Sequence, residues 1–366
     1  DVYKRQVIAN PSLKWETQIS TDIALEFGLF DCLTGTIEYF KKDSKDLLFD
    51  VSQPASVGVT SIIQNIGKVT NSGVEIELDY NAFKNKDWSV SVGANATFVK
   101  NKIKNLPATM KENGYISGSK KWLEGKSIYE FWLRQWHGVD PQTGDGLYVA
   151  DVSKYNQGNI GTGDGNITQS QFDEYKKTVV TIDGKELTNS YTYAKYDFSG
   201  SSIPDVFGGF NVRVSYKNFD LAAVFSYQLG GQVLDTNYAT MMSMTEFGYA
   251  QSPDLLKAWK QAGDITEVPR IDNSAAHTTN IGQSYSTRWL TSSDYLNLRS
   301  VTIGYQFPKA WLSKVMLKSA RLNLTAENLF MLKARQGLNP MANYSGVTYN
   351  EYMPSRNITL GLNVSF

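Results

Sequence analysis

The chain has 366 residues, and its 36 basic and 36 acidic side chains give a formal net charge of zero at pH 7. That balance excludes the basic excess that nucleic-acid phosphates require, so no nucleic-acid partner is expected. Cys32 is the only cysteine, which excludes an internal disulfide and a multi-cysteine metal site. No run approaches the roughly 20 consecutive apolar residues of a membrane-spanning helix.

Strict alternation of apolar and polar residues is the strongest pattern. From Trp15 to Leu29, every second residue is apolar or threonine, and the residues between them are polar or small. Successive side chains of a strand point to opposite faces, so this segment predicts a strand with one apolar and one polar face. Its length exceeds the roughly five or six residues usual in soluble sheets and suits a tilted strand that crosses a bilayer.

The same alternation predicts nine strands, and a break in parity near Arg299 predicts a β-bulge. The strands are expected at 15–29, 33–42, 74–81, 88–98, 210–216, 219–227, 295–307, 320–330 and 358–366. Short connections at 30–32, 82–87, 217–218 and 308–319 alternate with long ones at 43–72, 101–205, 230–294 and 331–355. A transmembrane barrel sorts its connections in this way, with tight periplasmic turns and long extracellular loops.

The polar parity of the strands predicts residues that face a water-filled lumen. These are Glu16, Asp22, Glu75, Glu77, Asp79, Asn95, Arg213, Asn323 and Asn363. Three of the carboxylates follow one strand at about 7 Å spacing, within the range of glycosidase pairs. A hydrated wall explains them as well and is favoured. Because no catalytic triad, nucleophile elbow or phosphate loop is visible, no catalytic, cofactor-binding or metal residue is predicted, and no enzyme activity is expected.

Five stretches, in order, resemble the SusC/RagA family of TonB-linked outer-membrane proteins. They are Asn10–Glu16 (NPSLKWE), Asn71–Glu75 (NSGVE), Ile203–Phe210 (IPDVFGGF), Asp294–Pro308 and the last strand, Asn357–Phe366. The resemblance implies an all-β fold, the carboxy-terminal part of a barrel of the 22-stranded TonB-dependent type. It also implies that Phe366 belongs to a barrel-assembly signal.

The resemblance further implies import of an oligosaccharide or peptide across the outer membrane of a Gram-negative, Bacteroidota-like cell. TonB, a SusD-like surface lipoprotein, membrane lipid, and an amino-terminal plug with the rest of the barrel are the implied partners. Residues 1–6 fit nothing that follows and are interpreted as a non-native leader. Residues 7–366 are then barrel, with large extracellular loops at 101–205 and 230–294.

Several loop motifs carry secondary expectations. Trp122, Tyr129, Trp132 and Trp136 are candidates for stacking against a ligand, although a packed loop core is favoured. Gly163–Thr168 resembles part of a calcium loop, but its spacing favours a glycine-rich turn. The segments 140–144 and 252–259 are expected to form a proline- and glycine-defined turn and a capped helix.

Two other interpretations remain open. A soluble β-sandwich that binds glycans predicts shorter strands and unsorted loops. A passive porin-like or adhesive barrel shares the strand pattern but needs no TonB.

Overall fold

The computed structural model describes residues 10–52, 56, 61–163, 165–243, 248, 250–272, 274, 277, 281–282 and 285–366. The expected leader, residues 1–6, lies outside these ranges. In chain order the strands are β1 (Thr17–Leu29), β2 (Leu33–Ser52), β3 (Ser61–Lys84), β4 (Trp88–Asn105), β5 (Tyr115–Ser117), β6 (Lys120–Trp122), β7 (Glu130–Arg134), β8 (Trp136–Val139), β9 (Gly146–Val149), β10 (Val179–Ile182), β11 (Lys185–Thr188), β12 (Tyr196–Ser201), β13 (Val206–Tyr216), β14 (Phe219–Leu229), β15 (Gln232–Leu234), β16 (Leu290–Ser292), β17 (Tyr295–Gln306), β18 (Ser319–Lys333) and β19 (Asn357–Ser365).

Helices are few and short. The α-helices of the described residues are α1 (Gln169–Thr178), α2 (Thr236–Met241) and α3 (Lys309–Leu312). Single 3-10 turns lie at Ala108–Met110, Gln157–Asn159, Tyr191–Tyr193, Pro253–Lys257, Thr287–Trp289 and Ser313–Val315. Within the described part of the chain, no helix is long and apolar enough to cross a membrane.

The long strands form one antiparallel sheet. Over the described residues it has nine strands in the order β1-β2-β3-β4-β13-β14-β17-β18-β19, so each strand pairs with the long strand that precedes it. This confirms the predicted nine-stranded all-β arrangement. Short and long connections alternate as predicted from β3 onward, but the connection between β2 and β3 is only 53–60, against the predicted 43–72.

The register of the sheet aligns apolar side chains into rows that cross every strand. Directly paired residues of antiparallel strands share a face. One such row contains Leu29, Leu33, Tyr80, Val92, Val212, Ala223, Val301, Ala326 and Ile358. The adjacent row, on the opposite face, contains Asn81, Ser91, Arg213, Ala222, Thr302, Thr325 and Thr359. The sheet therefore keeps one apolar and one mostly polar face across its width.

A β-bulge at Arg299 preserves this arrangement and confirms the predicted break in parity. On β14, Val224 pairs with Ser300 and the next residue, Phe225, pairs with Leu298, so Arg299 is the extra residue. The bulge places Leu298 and Val301 on the same face although they are three positions apart.

Several strands are longer than predicted. β2 was expected to end near residue 42 and to be followed by a loop to 72, but β2 and β3 remain paired up to Ser52 and Ser61. From Asp43 to Asp46 the residues are polar on both faces, and Leu47 to Phe49 are three consecutive apolar residues, so alternation carries no signal there while the backbone pairing continues. The register also shifts near Asp46, whose φ is +57°. β4 likewise runs to Asn105 rather than 98, and β13 begins at Val206 rather than 210.

The apolar face of the sheet is exposed. Ile23 is 66%, Leu25 64%, Leu360 69% and Leu362 62% accessible. An exposed apolar surface that spans a whole sheet is not a feature of soluble monomers and marks contact with an apolar medium or partner. Sheet strands of about 9–24 residues and connections sorted by length fit a bilayer, as in a transmembrane barrel.

We predict that a charge is tolerated on one face of β19 and not on the other. Leu362→Lys should destabilise the folded barrel by about 2–4 kcal/mol, because it places an ammonium group on the apolar face. Asn363→Lys, one residue away on the polar face, should cost far less. Urea titrations of the complete receptor folded into lipid vesicles measure both, and equal costs would contradict the assignment of the faces.

Candidate functional site

The described residues of 106–205, 230–294 and 334–356 fold into a body at one end of the sheet, here called the cap. Its largest buried cluster combines Phe131 and Leu133 from the first segment, Leu234 and Trp289 from the second, and Val347 from the third. Phe131, Leu133 and Leu234 are completely inaccessible to solvent. The connections expected as loops therefore contain the main hydrophobic core, and the sheet does not.

Main-chain hydrogen bonds hold the three cap segments together. The Leu234 amide donates to the Gly346 carbonyl at 2.7 Å, and the Thr348 amide donates back to the Leu234 carbonyl at 3.1 Å. The Arg134 amide donates to Tyr285 at 3.3 Å. Such pairing between distant segments makes the cap one folded unit.

The expected turn at 140–144 is confirmed and has a docking role. Asp140 accepts hydrogen bonds from the Gln142 amide at 2.9 Å and from the Thr143 hydroxyl at 3.0 Å. Gly144 has a φ of +73° and packs against the Trp259 indole, where a Cβ would come within 2.4 Å of the ring. The indole nitrogen of Trp259 donates to the Pro141 carbonyl at 2.9 Å. The turn thus joins the first cap segment to the second.

The helix expected at 252–259 is a 3-10 turn, Pro253–Lys257. Ser252 caps it by accepting from the Asp254 amide at 3.3 Å, and Pro253 occupies its first turn, as predicted. Leu255 and Ala258 join the main cap cluster.

A buried ion pair links the second and third cap segments. Arg335 contacts Asp235 at 2.5 Å and lies over the Tyr238 ring, 3.5 Å from its centroid. The Asp235 side chain, 6% accessible, also accepts from the Tyr238 amide at 3.0 Å and from the Thr348 hydroxyl at 3.3 Å. Asp235 therefore organises the start of α2 and its contact with the third segment.

We predict that Arg335→Met loosens the cap by about 3–5 kcal/mol, because it leaves the Asp235 carboxylate buried without its counter-charge. Lys257→Met is the control, because water screens its exposed pair with Asp254, which therefore contributes little to stability. Hydrogen exchange of cap peptides measures both changes. Equal protection in the two variants would show that the pair does not hold the segments together.

Lys120 is a buried cation within the cap. Its ammonium donates to the Tyr129 carbonyl at 2.8 Å and to the Ser202 hydroxyl at 3.3 Å, and it lies 3.3 Å from the centroid of the Phe131 ring. Burial lowers the pKa of Lys120 to about 7, and the negative charge of Glu130 opposes that shift. The amine therefore changes charge near neutral pH.

We predict that the cap becomes more stable between pH 7.5 and 9.5. The unfolded amine has a pKa of about 10.4, so the unfolded state binds more protons than the folded state in this range, and stability rises with pH. Cap protection, corrected for intrinsic exchange rates, should increase by up to about tenfold per pH unit. Lys120→Met should remove this dependence. An unchanged slope in the variant would assign the effect to other groups.

The four candidate stacking aromatics already contact other rings of the chain. Trp122 packs against Phe49 and Tyr115, and Tyr129 against Tyr344, at centroid distances of 5.9, 5.4 and 5.2 Å. Trp132 contacts Phe198 at 4.9 Å and Tyr196 at 6.2 Å, and Trp136 contacts Tyr148 at 5.1 Å. Among the ring contacts of the described residues, none joins two of the four. They remain half-buried.

Sequence reasoning missed the partners of these rings. Phe49 was expected in a loop, and Tyr196, Phe198 and Tyr344 had no periodic pattern around them. Their proximity depends on the pairing of β12 with β7 and on the fold of the third cap segment.

The nine predicted wall residues occupy positions of one parity on their strands. Glu77 pairs with Asn95, and the Asn95 side chain accepts from the Gly209 amide at 2.8 Å. Asn363 donates to the Asn323 side chain at 3.3 Å. Glu16 accepts from the Leu48 amide at 2.9 Å and so also contributes to the edge of the β1–β2 pair. The sheet thus brings these residues to one face, and that this face lines a lumen stays a prediction.

A bidentate ion pair on the same face was not foreseen. Arg321 of β18 reaches Asp220 of β14 at 2.7 and 2.6 Å, and β17 lies between these strands. The side chains pass over Gly304, where a Cβ would lie 2.3 Å from the guanidinium. Glycine at this position thus permits a bridge across three strands.

Carboxylates accumulate on the polar face of β1–β3. Glu38 pairs directly with Glu75, and Thr36 lies between Glu26 and Glu77 in the next row. A groove of about 550 Å³ is lined in part by Glu26, Glu77 and Asp79. Like charges in direct opposition are tolerated only where water solvates them.

The remaining polar candidates lie apart from this face. Within the described residues, no group of three or more His, Cys, Asp or Glu is arranged to hold a metal ion. Asp164 of the calcium-like segment lies outside the described residues, and the segment around it forms a turn in which the Gly161 amide donates to the Ile167 carbonyl at 3.1 Å. His277 is buried and contacts the Arg270 carbonyl at 2.8 Å, whereas His137 is exposed.

An exposed apolar face, a polar opposite face and a folded cap at one end define the wall of a transmembrane β-barrel. Comparison with known proteins shows which β-barrels this chain is similar to. Residues 3–159 match the family described as "TonB dependent receptor-like, beta-barrel". TonB-dependent receptor P3 of Formosa agariphila is 29% identical over 98% of this chain and 35% of its own length. TonB-dependent receptor SusC of Bacteroides thetaiotaomicron is 24% identical over 98% of this chain and 32% of its own.

Comparison with solved structures gives the same kind of match. A structure of the RagAB peptide transporter covers 99% of this chain and 37% of its own, with a TM-score of 0.77 at 24% identity. The RagAB peptide importer in its closed-closed state gives the same TM-score at 25% identity. Residues 3–159 are thus similar to the β-barrel of TonB-dependent receptors, and the predicted resemblance to SusC/RagA-type proteins is confirmed. The chain spans about a third of the length of the curated relatives it matches.

Proposed function

We propose that this chain supplies part of the barrel wall and the substrate-facing cap of an outer-membrane importer for a large nutrient, an oligosaccharide or a peptide. The continuous polar face, opposite an exposed apolar face, is the observation that carries the proposal. A wall with this asymmetry separates lipid from water, and the relatives are named TonB-dependent receptors.

The proposed lumen is lined by the polar rows of the sheet. Arg213, Asn95 and the carboxylates of β3 form a hydrated wall and have no specific chemistry in this account. Among the described strands, β1 and β19 are each paired on one side only. Unpaired strand edges are not tolerated in hydrocarbon, which supports closure of the sheet by further strands of the receptor.

The proposed partners follow from the same arrangement. Coupling to TonB would act through the remainder of the receptor, and a SusD-like lipoprotein would sit on the cap. The folded cap supports this second partner, because a packed surface made of three segments offers a defined docking face, whereas separate loops do not.

The cap aromatics are the proposed ligand contacts. Trp132 is half-buried, packs on Phe198, and has the Lys121 ammonium 4.0 Å from its ring centroid. Aromatic faces that remain accessible stack against sugar rings or peptide side chains. Because Phe198 and Lys121 already hold the Trp132 side chain in place, less conformational entropy would be lost when a ligand binds to it.

We predict saturable, TonB-dependent uptake by cells that carry the complete receptor. Labelled oligosaccharides and peptides are supplied to strains with and without TonB. Uptake that continues without TonB would identify a passive pore, and adhesion without uptake would identify an adhesive barrel. Either result overturns the proposal.

The same assay tests the aromatic contact. Trp132→Leu should lower uptake while cap hydrogen exchange stays near wild type, and Trp311→Leu, at an exposed site on α3, should change neither. If Trp132→Leu loosens the cap, or if it leaves uptake unchanged, Trp132 is a packing residue.

A further inference from the structure

The apolar face of the sheet ends abruptly at the cap side of β2–β4. The last apolar row contains Ile23, Tyr39, Val74 and Phe98. The next row on the same face pairs Lys41 with Ser72 and Ser72 with Lys100. One row further, Asp43 pairs with Thr70 and Thr70 with Lys102. Because rows on one face are about 7 Å apart, cations follow directly on the aromatic rings.

The three lysines of these rows, Lys41, Lys100 and Lys102, are here called the lysine ledge. All three are exposed. Lys41 pairs with Asp43 at 3.3 Å, and Asp43 also accepts from the Thr70 hydroxyl at 2.6 Å. No carboxylate of the described residues lies within 4.0 Å of the Lys100 or Lys102 ammonium, so both are available to an anion.

A cleft of about 940 Å³ joins the ledge to the apolar row. It opens where β4 continues past its last pairing with β13, Thr97 with Phe207. Tyr39, Val74 and Phe98 are among its apolar lining residues, and Lys100, Lys102 and Lys126 are its lysines. Glu130 and Asp205 also line it. Lys126 is oriented by the Phe198 ring, 4.7 Å from its centroid.

This combination indicates an amphipathic anion. The apolar wall is suited to acyl chains, and the adjacent ammonium groups are suited to a phosphate. A free phosphate would gain nothing from the rings, and an apolar peptide would leave the cations unused. Comparable lysine rows do not border the apolar face at β13, β14 or β17, all of which lie within the described residues.

We propose that the cleft at the lysine ledge binds a phosphate-bearing lipid of the outer leaflet, with the headgroup on Lys100 and Lys102 and the acyl chains on Tyr39 and Phe98. The proposal rests on the barrel orientation in the proposed function, in which the cap faces outward. Such a lipid would cover the gap between β4 and β13 and help to seal the wall below the cap.

The test uses the complete receptor in neutral detergent. Lipid A that carries a phosphate, and the same lipid after phosphatase treatment, are titrated against wild type, Lys100→Gln/Lys102→Gln and Lys84→Gln/Lys86→Gln. The second double variant makes the same charge change at exposed positions near the short turn between β3 and β4. Removing two exposed lysines leaves the fold intact, which retention of the heat-resistant barrel band in electrophoresis verifies.

The expected result is a loss of affinity of at least about tenfold for the phosphorylated lipid in the ledge variant, with no change in the turn variant. Equal binding of the two lipids, or equal losses in the two variants, would overturn the proposal. Full competition by millimolar inorganic phosphate would assign the site to a free anion and also overturn it. Nutrient uptake by the ledge variant should equal wild type, so failure of lipid binding is distinguishable from failure of the importer assignment.

Discussion

The register between strands is the constraint on which the rest of this structure depends. A shift of one residue in any pair would exchange the apolar and polar faces of every strand beyond it. The row from Leu29 to Ile358 is apolar across the whole sheet. The bulge at Arg299 absorbs a break in parity on β17 and so keeps Leu298 and Val301 on the same face. Contact with lipid on one side and water on the other therefore imposes a stricter pattern of apolar and polar residues than a soluble core does. The reason is that the polarity of both faces of the sheet is specified.

This constraint also explains where the hydrophobic core lies. Both faces of the sheet are in contact with surroundings outside the chain, so the sheet contributes few buried side chains. The cap, in contrast, has to fold in water, and it does so with Phe131, Leu133, Leu234 and Trp289 as its interior. Two charged side chains are buried beside that interior, Asp235 in its pair with Arg335 and Lys120 over the Phe131 ring. The sheet and the cap are thus adapted to different solvents, and the lysine ledge lies at the boundary between these two parts of the protein.

Much of the sheet could be predicted from the sequence, because period-two alternation is a local signal. The nine strands, the short and long connections from β3 onward and the bulge at Arg299 all follow from it. The extension of β2 beyond Lys42 did not, since Asp43 to Asp46 are polar whichever face they occupy. The cap was beyond prediction for a different reason. Its contacts, such as Leu234 with Gly346 and Trp259 with Pro141, join residues more than a hundred positions apart. Parity alone placed the candidate wall residues on one face of the sheet. The bridge from Arg321 to Asp220 could not be predicted in this way, because it depends on Gly304 of β17 lying between the two side chains.

The most direct test of the two-faced wall is the accessibility of single nitroxide labels along β14, from position 219 to 228, in the complete receptor reconstituted in lipid with Cys32 replaced by serine. Labels at Leu221, Ala223 and Phe225 should be relaxed by oxygen dissolved in the bilayer, and labels at Asp220, Ala222 and Val224 by a water-soluble nickel chelate. Ala222 and Val224 make the test discriminating, because their own side chains are apolar. Only the register of the strands predicts that these two positions face water. Accessibility that alternates with period two is the predicted result. Accessibility that is uniform along the strand, or that follows side-chain polarity and not position, would contradict the account.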